Sequence, residues 1–360
     1  MYILAIETSC DETASAVVTD GGEVLSNVVA SQVEDHAVFG GVVPEIASRR
    51  HIELIRAVVG EALQQASISP KDLGGIAVTQ GPGLVGALLV GISFAKAFAY
   101  GLKIPVCGIN HLEGHLSAAR IDSELTYPHI GMVVSGGHTS LYRVDSESSI
   151  EEIGRTIDDA AGEAFDKVAK LLYLGYPGGM VIERISRGID PRAFELPRPL
   201  MNDGSYDFSF SGLKTAVLNL VIRSEIFADM DLRFSGLPEA KKPLPGKEHL
   251  IALISAAFQH AVIDVLVTKA IKAVKDHAMD LLVVSGGVAS NTALREALQE
   301  KTGSEGIRLV IPERKYCTDN AVMIALASIR HFRDNRHAPL DMNAVSRWSS
   351  ITGASDTQSA

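Results

Sequence analysis

Short apolar runs alternate with amphipathic stretches along almost the whole chain. That alternation leaves little but an α/β fold with largely buried sheets. Tyr2–Glu7 and residues 15–20 read as strands, and Asp20-Gly21-Gly22 as a hairpin turn into a strand at 23–30. Residues 48–66 predict an amphipathic helix with Ile52, Ile55, Val58, Val59, Ala62 and Leu63 on its apolar face. A buried strand at 76–79 leads through Gly81-Pro82-Gly83 into a helix reaching about Tyr100. Strand 106–109, helix 112–120 and strands 131–134 and 140–144 follow. The second half predicts helices near 160–173, 211–223, 250–276, 289–300 and 319–332, with strands at Leu281–Ser285 and 308–311. At roughly 150 residues per domain, 360 residues make two domains with cores of their own.

One segment of this pattern is repeated. Met132-Val-Val-Ser-Gly-Gly-His-Thr-Ser140 resembles Leu282-Val-Val-Ser-Gly-Gly-Val-Ala-Ser290. In both, an apolar strand runs straight into Ser-Gly-Gly. Glycine at a strand end is common punctuation. Two copies with the same flanks predict a pair of turns facing one polyphosphate or nucleotide, whose oxygens backbone N–H groups can reach because no Cβ intervenes. Residues 224–248 are Pro-rich, charged and aperiodic, and read as a surface insertion. The Ser/Thr/Gly-rich tail, 345–360, reads as frayed.

Charge and cysteine narrow the function classes. With 33 basic and 43 acidic residues the net charge is −10, so phosphate is repelled over most of the surface. A free-standing, non-specific nucleic-acid binder is excluded, and an RNA partner would need a local basic patch or a helper protein. Cys10, Cys107 and Cys317 lie too far apart in sequence for a disulfide framework or a zinc ribbon. The N-terminus lacks the basic head and cleavage site of a signal peptide. The most apolar stretch, 84–95, is short of the roughly 20 residues that span a bilayer. These features predict a cytoplasmic protein that does not enter a membrane.

His111-Leu-Glu-Gly-His115 places two histidines one helical turn apart, a spacing that suits two bonds to one metal. Eleven histidines in 360 residues would give such a pair by chance roughly a third of the time, so spacing alone is weak. Asn110 before it is a good N-cap. A zinc peptidase would need Glu directly after the first histidine, where this chain has Leu112, and Glu113 lies roughly 200° around the helix. A third ligand is available in Cys317-Thr-Asp-Asn320, although an Asp at a strand-to-helix junction is more often simply a cap. His, His and Asp together would leave positions open for a substrate, as in the facial triad of non-haem iron, and zinc accepts the same donors.

Two acidic segments remain. Glu7-Thr-Ser-Cys-Asp11-Glu12-Thr13 is a polar turn between the first two strands, either plain solvation or a loop whose carboxylates bind a cation or take a proton. In the segment 156–167, Asp158, Asp159 and Glu163 are accounted for by the dipole of the helix they precede, whereas Asp166 falls a turn too late. Tyr176-Pro-Gly-Gly179 is a turn, with Glu183 beyond it.

Taken together, IETSCDET (6–13), GPG (81–83), HLEGH (111–115), VSGGHTS (134–140), IDDAAGEAFDK (157–167), YPGG (176–179), DFSFSGLKT (207–215), SGGVASN (285–291) and CTDN (317–320) resemble one family. It is the tRNA N6-adenosine threonylcarbamoyltransferase family in its bacterial form, once mislabelled an O-sialoglycoprotein endopeptidase. The resemblance runs in order from residue 2 to about 335 and fails over 224–248. It implies a two-lobed, actin-like or sugar-kinase-like (ASKHA) α/β fold around a central cleft. One lobe would span 1–125 and the other 126–319, with a helix at about 320–335 packing back on the first. It further implies that the lobes derive from a duplicated unit, of which the Ser-Gly-Gly repeat would be the trace.

For the site, the resemblance implies one metal on His111, His115 and Asp319, iron(II) before zinc(II). Val133, Val134, Ser135, Gly136 and Gly137 would form a loop on the substrate, with Asp166, Gly179, Glu183 and Asn291 completing an adenylate pocket. Many bacterial members carry Asp where this chain has Glu183. Asp11 and Glu12 match acidic residues associated with turnover. The implied reaction is acyl transfer from threonylcarbamoyl-AMP to N6 of adenosine 37, beside the anticodon of tRNAs reading ANN codons, with release of AMP. The implied partners are a paralogous non-catalytic actin-like subunit and a small ATPase. Two other classes share such a cleft. An ATP-dependent kinase or hydrolase would transfer phosphate without the histidines, and a non-catalytic scaffold would lack the metal set.

Overall fold

The computed structural model describes residues 1–121, 123–227 and 243–348. Its strands assemble into two five-stranded sheets. The first contains β1 (Tyr2–Glu7), β2 (Glu12–Thr19), β3 (Val24–Ser31), β4 (Leu73–Gly81) and β5 (Val106–Asn110) in the order β3-β2-β1-β4-β5. The second contains β6 (His129–Val134), β7 (Thr139–Ser146), β8 (Ser149–Arg155), β9 (Leu281–Ser285) and β10 (Arg308–Val310) in the order β10-β9-β6-β7-β8. In each sheet the first three strands form an antiparallel meander, and the last two add in parallel beside the first. The connectivities match strand for strand, β1 corresponding to β6 and β4 to β9.

This equivalence corrects the meaning of the Ser-Gly-Gly repeat. Both copies lie in the second sheet, at the ends of the adjacent parallel strands β6 and β9, paired through Val133 and Ser285. The repeat is therefore not the trace of lobe duplication. The counterparts of these two turns by connectivity are the acidic turn after β1 and Gly81-Pro82-Gly83 after β4, neither of which carries the Ser-Gly-Gly string. All four turns leave strand ends on one side of their sheets. A Cβ on Gly83 would fall 2.6 Å from Ser9 O, and one on Gly286 (φ +95°) would fall 2.3 Å from Val134 O. In both lobes only glycine lets the second turn close against the first strand.

Alternate residues of each central strand enter different cores. In the first sheet Leu4, Ile6, Ile76 and Val78 pack under helices α2 (Pro44–Gln65) and α3 (Val85–Leu102), beyond the short helix α1 (Val33–Ala37). Ile3, Ala5, Ala14, Ala16 and Val18 pack under α11 (Ala321–Arg333), so the chain returns to its first sheet at the end. Between the sheets lies α4 (His111–Ala118), whose Leu112 and Leu116 pack on Val133, Tyr142 and Val144 of the second sheet. The other face of that sheet carries α5 (Ala161–Leu171), α6 (Gly178–Ser186), α7 (Ser211–Arg223) and α8 (Glu248–Asp276). Helix α9 (Thr292–Glu305) and the single turn α10 (Arg314–Cys317) flank its last strands.

The sequence pattern misses helix α6, whose first turn holds the Gly178-Gly179 read as a plain turn, and three further features. Strand β8 carries four charges or hydroxyls facing out and only Ile150 and Gly154 buried, as expected of a protected sheet edge. Ile52, expected on the apolar face of α2, is 66% exposed, because the buried stripe runs through His51 instead. The apolar stretch at 84–95 belongs to an 18-residue helix, and α3 and α8 are both long and apolar enough to cross a membrane. Helix α8 is mostly buried as the core helix of the second lobe, and α3 covers the first sheet.

Of the expected surface insertion, 228–242 lies outside the described residues, and its N-terminal flank is not surface. Ile226 and Phe227 are buried in the second core, Phe227 edge-on to Tyr173. Of the expected frayed tail, 349–360 also lies outside the described residues, while Val345 N–H donates to Gln80 O at 2.9 Å.

Candidate metal centre and the cleft around it

Helix α4 starts where Asn110 caps it, its side-chain oxygen accepting from Leu112 N at 2.8 Å and Glu113 N at 3.3 Å. That start points His111 and His115 to one side, both buried. Asp319 sits between α10 and α11. It is not the cap of α11, because Asn320 takes that role, accepting from Met323 N at 3.1 Å. Freed from capping, Asp319 places Oδ1 3.5 Å from His111 Nε2 and 3.2 Å from His115 Nε2. Glu113 points the opposite way, to Arg330 at 3.2 Å and His331 at 3.3 Å on α11, which ties together the two elements that carry the three donors.

The donor set fits a divalent ion. Ligands held about 2.1 Å from one centre at tetrahedral or octahedral angles lie about 3.0–3.4 Å apart, close to the separations here. His115 is buried and neither ring nitrogen makes a hydrogen bond, a cost that a bound cation would relieve. Burial opposes charge on His111, yet Asp319 and Glu7 push it up to about 9. Burial holds His115 down, and burial with the two neighbouring histidines holds His138 down at about 4. Although burial disfavours its charge, Asp319 is kept below the usual carboxylate range by the histidines around it.

Glu7, which the sequence offers only as one carboxylate of an acidic turn, and His138, which it does not single out, complete this region. Glu7 Oε2 lies 3.1 Å from His111 Nδ1, and the His138 ring centre lies 6.3 Å from that of His111. His138 could have been read from the VSGGHTS segment, since the turn that exposes glycines exposes its next residue too. Asp11 is buried and Glu12 half-buried at the head of β2. Burial, then Asp11 and Asp319, raise the Glu12 carboxyl well above its ordinary range.

On the second lobe the expected substrate loop begins later than the family resemblance implies. Val133 and Val134 are fully buried strand residues, paired with Ser140 and Thr139, so the turn is Ser135–His138. It is closed by Ser135 N donating to His138 O at 2.7 Å and by His138 N donating to Ser135 Oγ at 3.1 Å. Gly136 and Gly137 are exposed, with nothing within 4 Å of where a Cβ would stand. Asp166 accepts from Gly178 N at 2.7 Å at the start of α6. Burial raises Asp166 to about 6, with Asp11 adding to the effect from across the cleft.

The remaining expected residues meet at the start of α9. Asn291 caps this helix, accepting from Leu294 N at 3.0 Å and donating to Gln259 Oε1 at 2.9 Å. Glu183 Oε1 accepts from Thr292 N at 3.2 Å. Gly179 is open on its Cβ side. The structure thus brings Asp166, Gly179, Glu183 and Asn291 together around α6, and gives Glu183 and Asn291 helix-capping duties as well. Asp158 caps α7 rather than the helix it precedes in sequence, accepting from Phe210 N at 2.8 Å.

Comparison with known proteins follows the same lines. The pattern of the family described as tRNA N6-adenosine threonylcarbamoyltransferase (TsaD) matches residues 23–326. A protein of that name from Syntrophobacter fumaroxidans is 52% identical over 351 residues, covering 97% of this chain and all of its own. One from Geobacter sulfurreducens is 51% identical over 348 residues and 97% of each chain. Among solved structures, HypF from T. kodakarensis aligns with a TM-score of 0.59 at 13% identity, covering 92% of this chain and 48% of its own. The Clostridium difficile activator of 2-hydroxyisocaproyl-CoA dehydratase aligns at 0.52 and 12% identity, covering 93% and 97%. At such identities these structures speak for the fold alone, a two-lobed, actin-like α/β architecture. With half its residues shared across full-length relatives, the chain belongs to the tRNA N6-adenosine threonylcarbamoyltransferase family, whose members are transferases that modify tRNA.

Proposed function

We propose that this chain transfers the threonylcarbamoyl group of threonylcarbamoyl-AMP to N6 of adenosine 37 in tRNAs reading ANN codons, forming N6-threonylcarbamoyladenosine and AMP. The observation that carries this reading is a buried His111–His115–Asp319 donor set that adjoins the open glycine turn Ser135–His138. The adenine amine is a weak nucleophile, so its acyl donor must be an activated mixed anhydride. N6 attacks the carbamoyl carbon, the N6–C bond forms, and the C–O bond to phosphate breaks with its electron pair leaving on AMP. The N6 proton would pass to a carboxylate, for which Asp11 and Glu12, at the head of β2, are the candidates.

The N–H groups of Gly136 and Gly137 would face the adenylate phosphate, with Asp166, Gly179, Glu183 and Asn291 along the nucleoside. Bound by His111, His115 and Asp319, iron(II) or else zinc(II) would supply Lewis acidity toward the threonylcarbamoyl oxygens. Position 37 lies in a loop, so its base can be splayed out at small cost.

Several surface cations have acidic partners within the molecule. Arg50 pairs with Asp35 and Glu53, Arg192 with Asp190, Arg198 with Asp264, and Lys315 with Glu313. With a net charge of −10, the chain is read as acting in the cytoplasm with a paralogous non-catalytic actin-like subunit and a small ATPase that complete the tRNA-binding surface.

Mass spectrometry of nucleosides from cells depleted of this protein tests the reaction: the modified adenosine should disappear, and an unchanged level overturns the reading. Purified chain, with and without partners across a salt series, tests the assembly. Tight, salt-sensitive tRNA binding and full turnover by the chain alone would show that no partner surface is needed.

A further inference from the structure

The two histidines of the donor set face Asp319 alike, but their far sides differ. On the far side of His115, Nδ1 is buried and lacks a hydrogen-bond partner. Behind His111, Nδ1 meets the carboxylate of Glu7 at 3.1 Å and the hydroxyl of Ser9 at 3.1 Å. Glu7 is the last residue of β1 and is fully buried. Its carboxylate also accepts from Thr79 Oγ1 at 2.6 Å, on the neighbouring strand β4, and from the backbone N–H of Ser9. With His111 itself, donors from β4, from the turn after β1 and from α4 therefore fix its position. A carboxylate there fixes the His111 tautomer: Nδ1 carries the proton and donates it, which leaves the Nε2 lone pair aimed at the space shared with His115 and Asp319.

We propose that Glu7 is a positioning residue of this centre, orienting His111 and raising the donor strength of its Nε2 toward a divalent cation, while His115 binds without such support. The inference rests on reading the triad as a metal site. An anionic acceptor behind an imidazole makes it a better base, and removing such an acceptor typically weakens metal affinity 10- to 100-fold. A buried ion pair that merely stabilises the fold predicts something different: loss of stability without loss of affinity.

The test uses the purified full chain, stripped of metal, with Co(II) as the probe, followed by its visible absorption and by competition with a chelator. Wild type should take up one ion per chain. Glu7→Gln, which is nearly isosteric, should bind Co(II) about 10- to 100-fold more weakly. Thr79→Val, which removes one of the three donors holding the carboxylate, should weaken binding by a smaller factor and serves if Glu7→Gln does not fold. In turnover, the metal concentration for half-maximal activity should rise in both variants, more in Glu7→Gln than in Thr79→Val. Wild-type Co(II) affinity and spectrum in both variants, with or without a lowered melting temperature, would overturn the proposal and leave Glu7 a structural ion-pair partner. Wild-type chain that binds no Co(II), Zn(II) or Fe(II) would overturn the metal reading itself, and this inference with it.

Discussion

The turn after β1 and the turn after β6 occupy the same place in two sheets of the same connectivity, yet one is closed and the other open. After β1 come Thr8, Ser9 and Asp11, all buried, with Glu7 locked behind a histidine. After β6 come Gly136 and Gly137, both exposed and facing empty space. The first arrangement suits a fixed donor set, since buried polar groups that hold one another cannot relax when charge changes. The second suits a guest with its own phosphate, because backbone amides without side chains can be approached closely. Topology chose where the chemistry happens, and the few residues of each turn chose which chemistry it is.

That contrast breaks most visibly if the closed half is emptied. His115→Ala or Asp319→Ala should abolish metal uptake and lower turnover more than 100-fold, because two donors hold such an ion poorly. Adenylate binding, measured by calorimetry, should survive. Stoichiometric metal and full activity in purified His115→Ala would dissolve the distinction between the halves.

The open half should divide into two kinds of glycine. Gly286→Val meets both a positive φ and the Val134 carbonyl, and should destabilise the second lobe by about 3 kcal/mol or more in urea unfolding. Gly137→Val meets nothing, so it should leave the unfolding midpoint within about 0.5 kcal/mol of wild type and weaken adenylate binding about 10-fold or more. Equal effects of the two on stability would mean that the turn is not open as described.

Asp166, on the open side but under the influence of Asp11 on the closed side, offers a pH test. Its pKa is raised to about 6 by burial, so the folded state prefers the neutral acid. The stability this group contributes is full below its unfolded pKa near 4 and is lost as pH rises through about 6. Asp166→Asn, which mimics the neutral form, should therefore match wild type near pH 4 and exceed it by about 3 kcal/mol at pH 8. A gap independent of pH would mean that burial does not hold the Asp166 carboxyl above its ordinary range. The smallest effect belongs to a residue in neither half: Asp158→Ala should cost about 1 kcal/mol through the lost cap of α7 and leave metal content unchanged, as elemental analysis can check.

Much of this site was legible in advance because its chemistry is carried by short, unusual strings. HLEGH, VSGGH and CTDN stand out whatever surrounds them. What stayed hidden was the division of labour among neighbours. Asp319 looked like a helix cap until Asn320 was seen to cap α11, and Asp158 looked like dipole compensation for α5 until it was seen to cap α7. Both depend on which backbone N–H a carboxylate can reach, a distance set by the path of the chain. Glu7 stood out no more than the other carboxylates of its turn, and its particular place came from His111, 104 positions away.

By itself the sequence determined the elements and the class of fold, because hydrophobic period and glycine punctuation are local and act within a few residues. It also determined the donor types, since histidine, aspartate and glycine have few substitutes for binding a cation or seating a phosphate. Only the tertiary structure decided which turn corresponds to which: the Ser-Gly-Gly repeat joins neighbouring strands of one sheet, and the likeness between the lobes lies in strand connectivity. The reason is physical. Strand order is enforced by long-range packing of many interchangeable apolar side chains, and interchangeable residues leave no repeat to read.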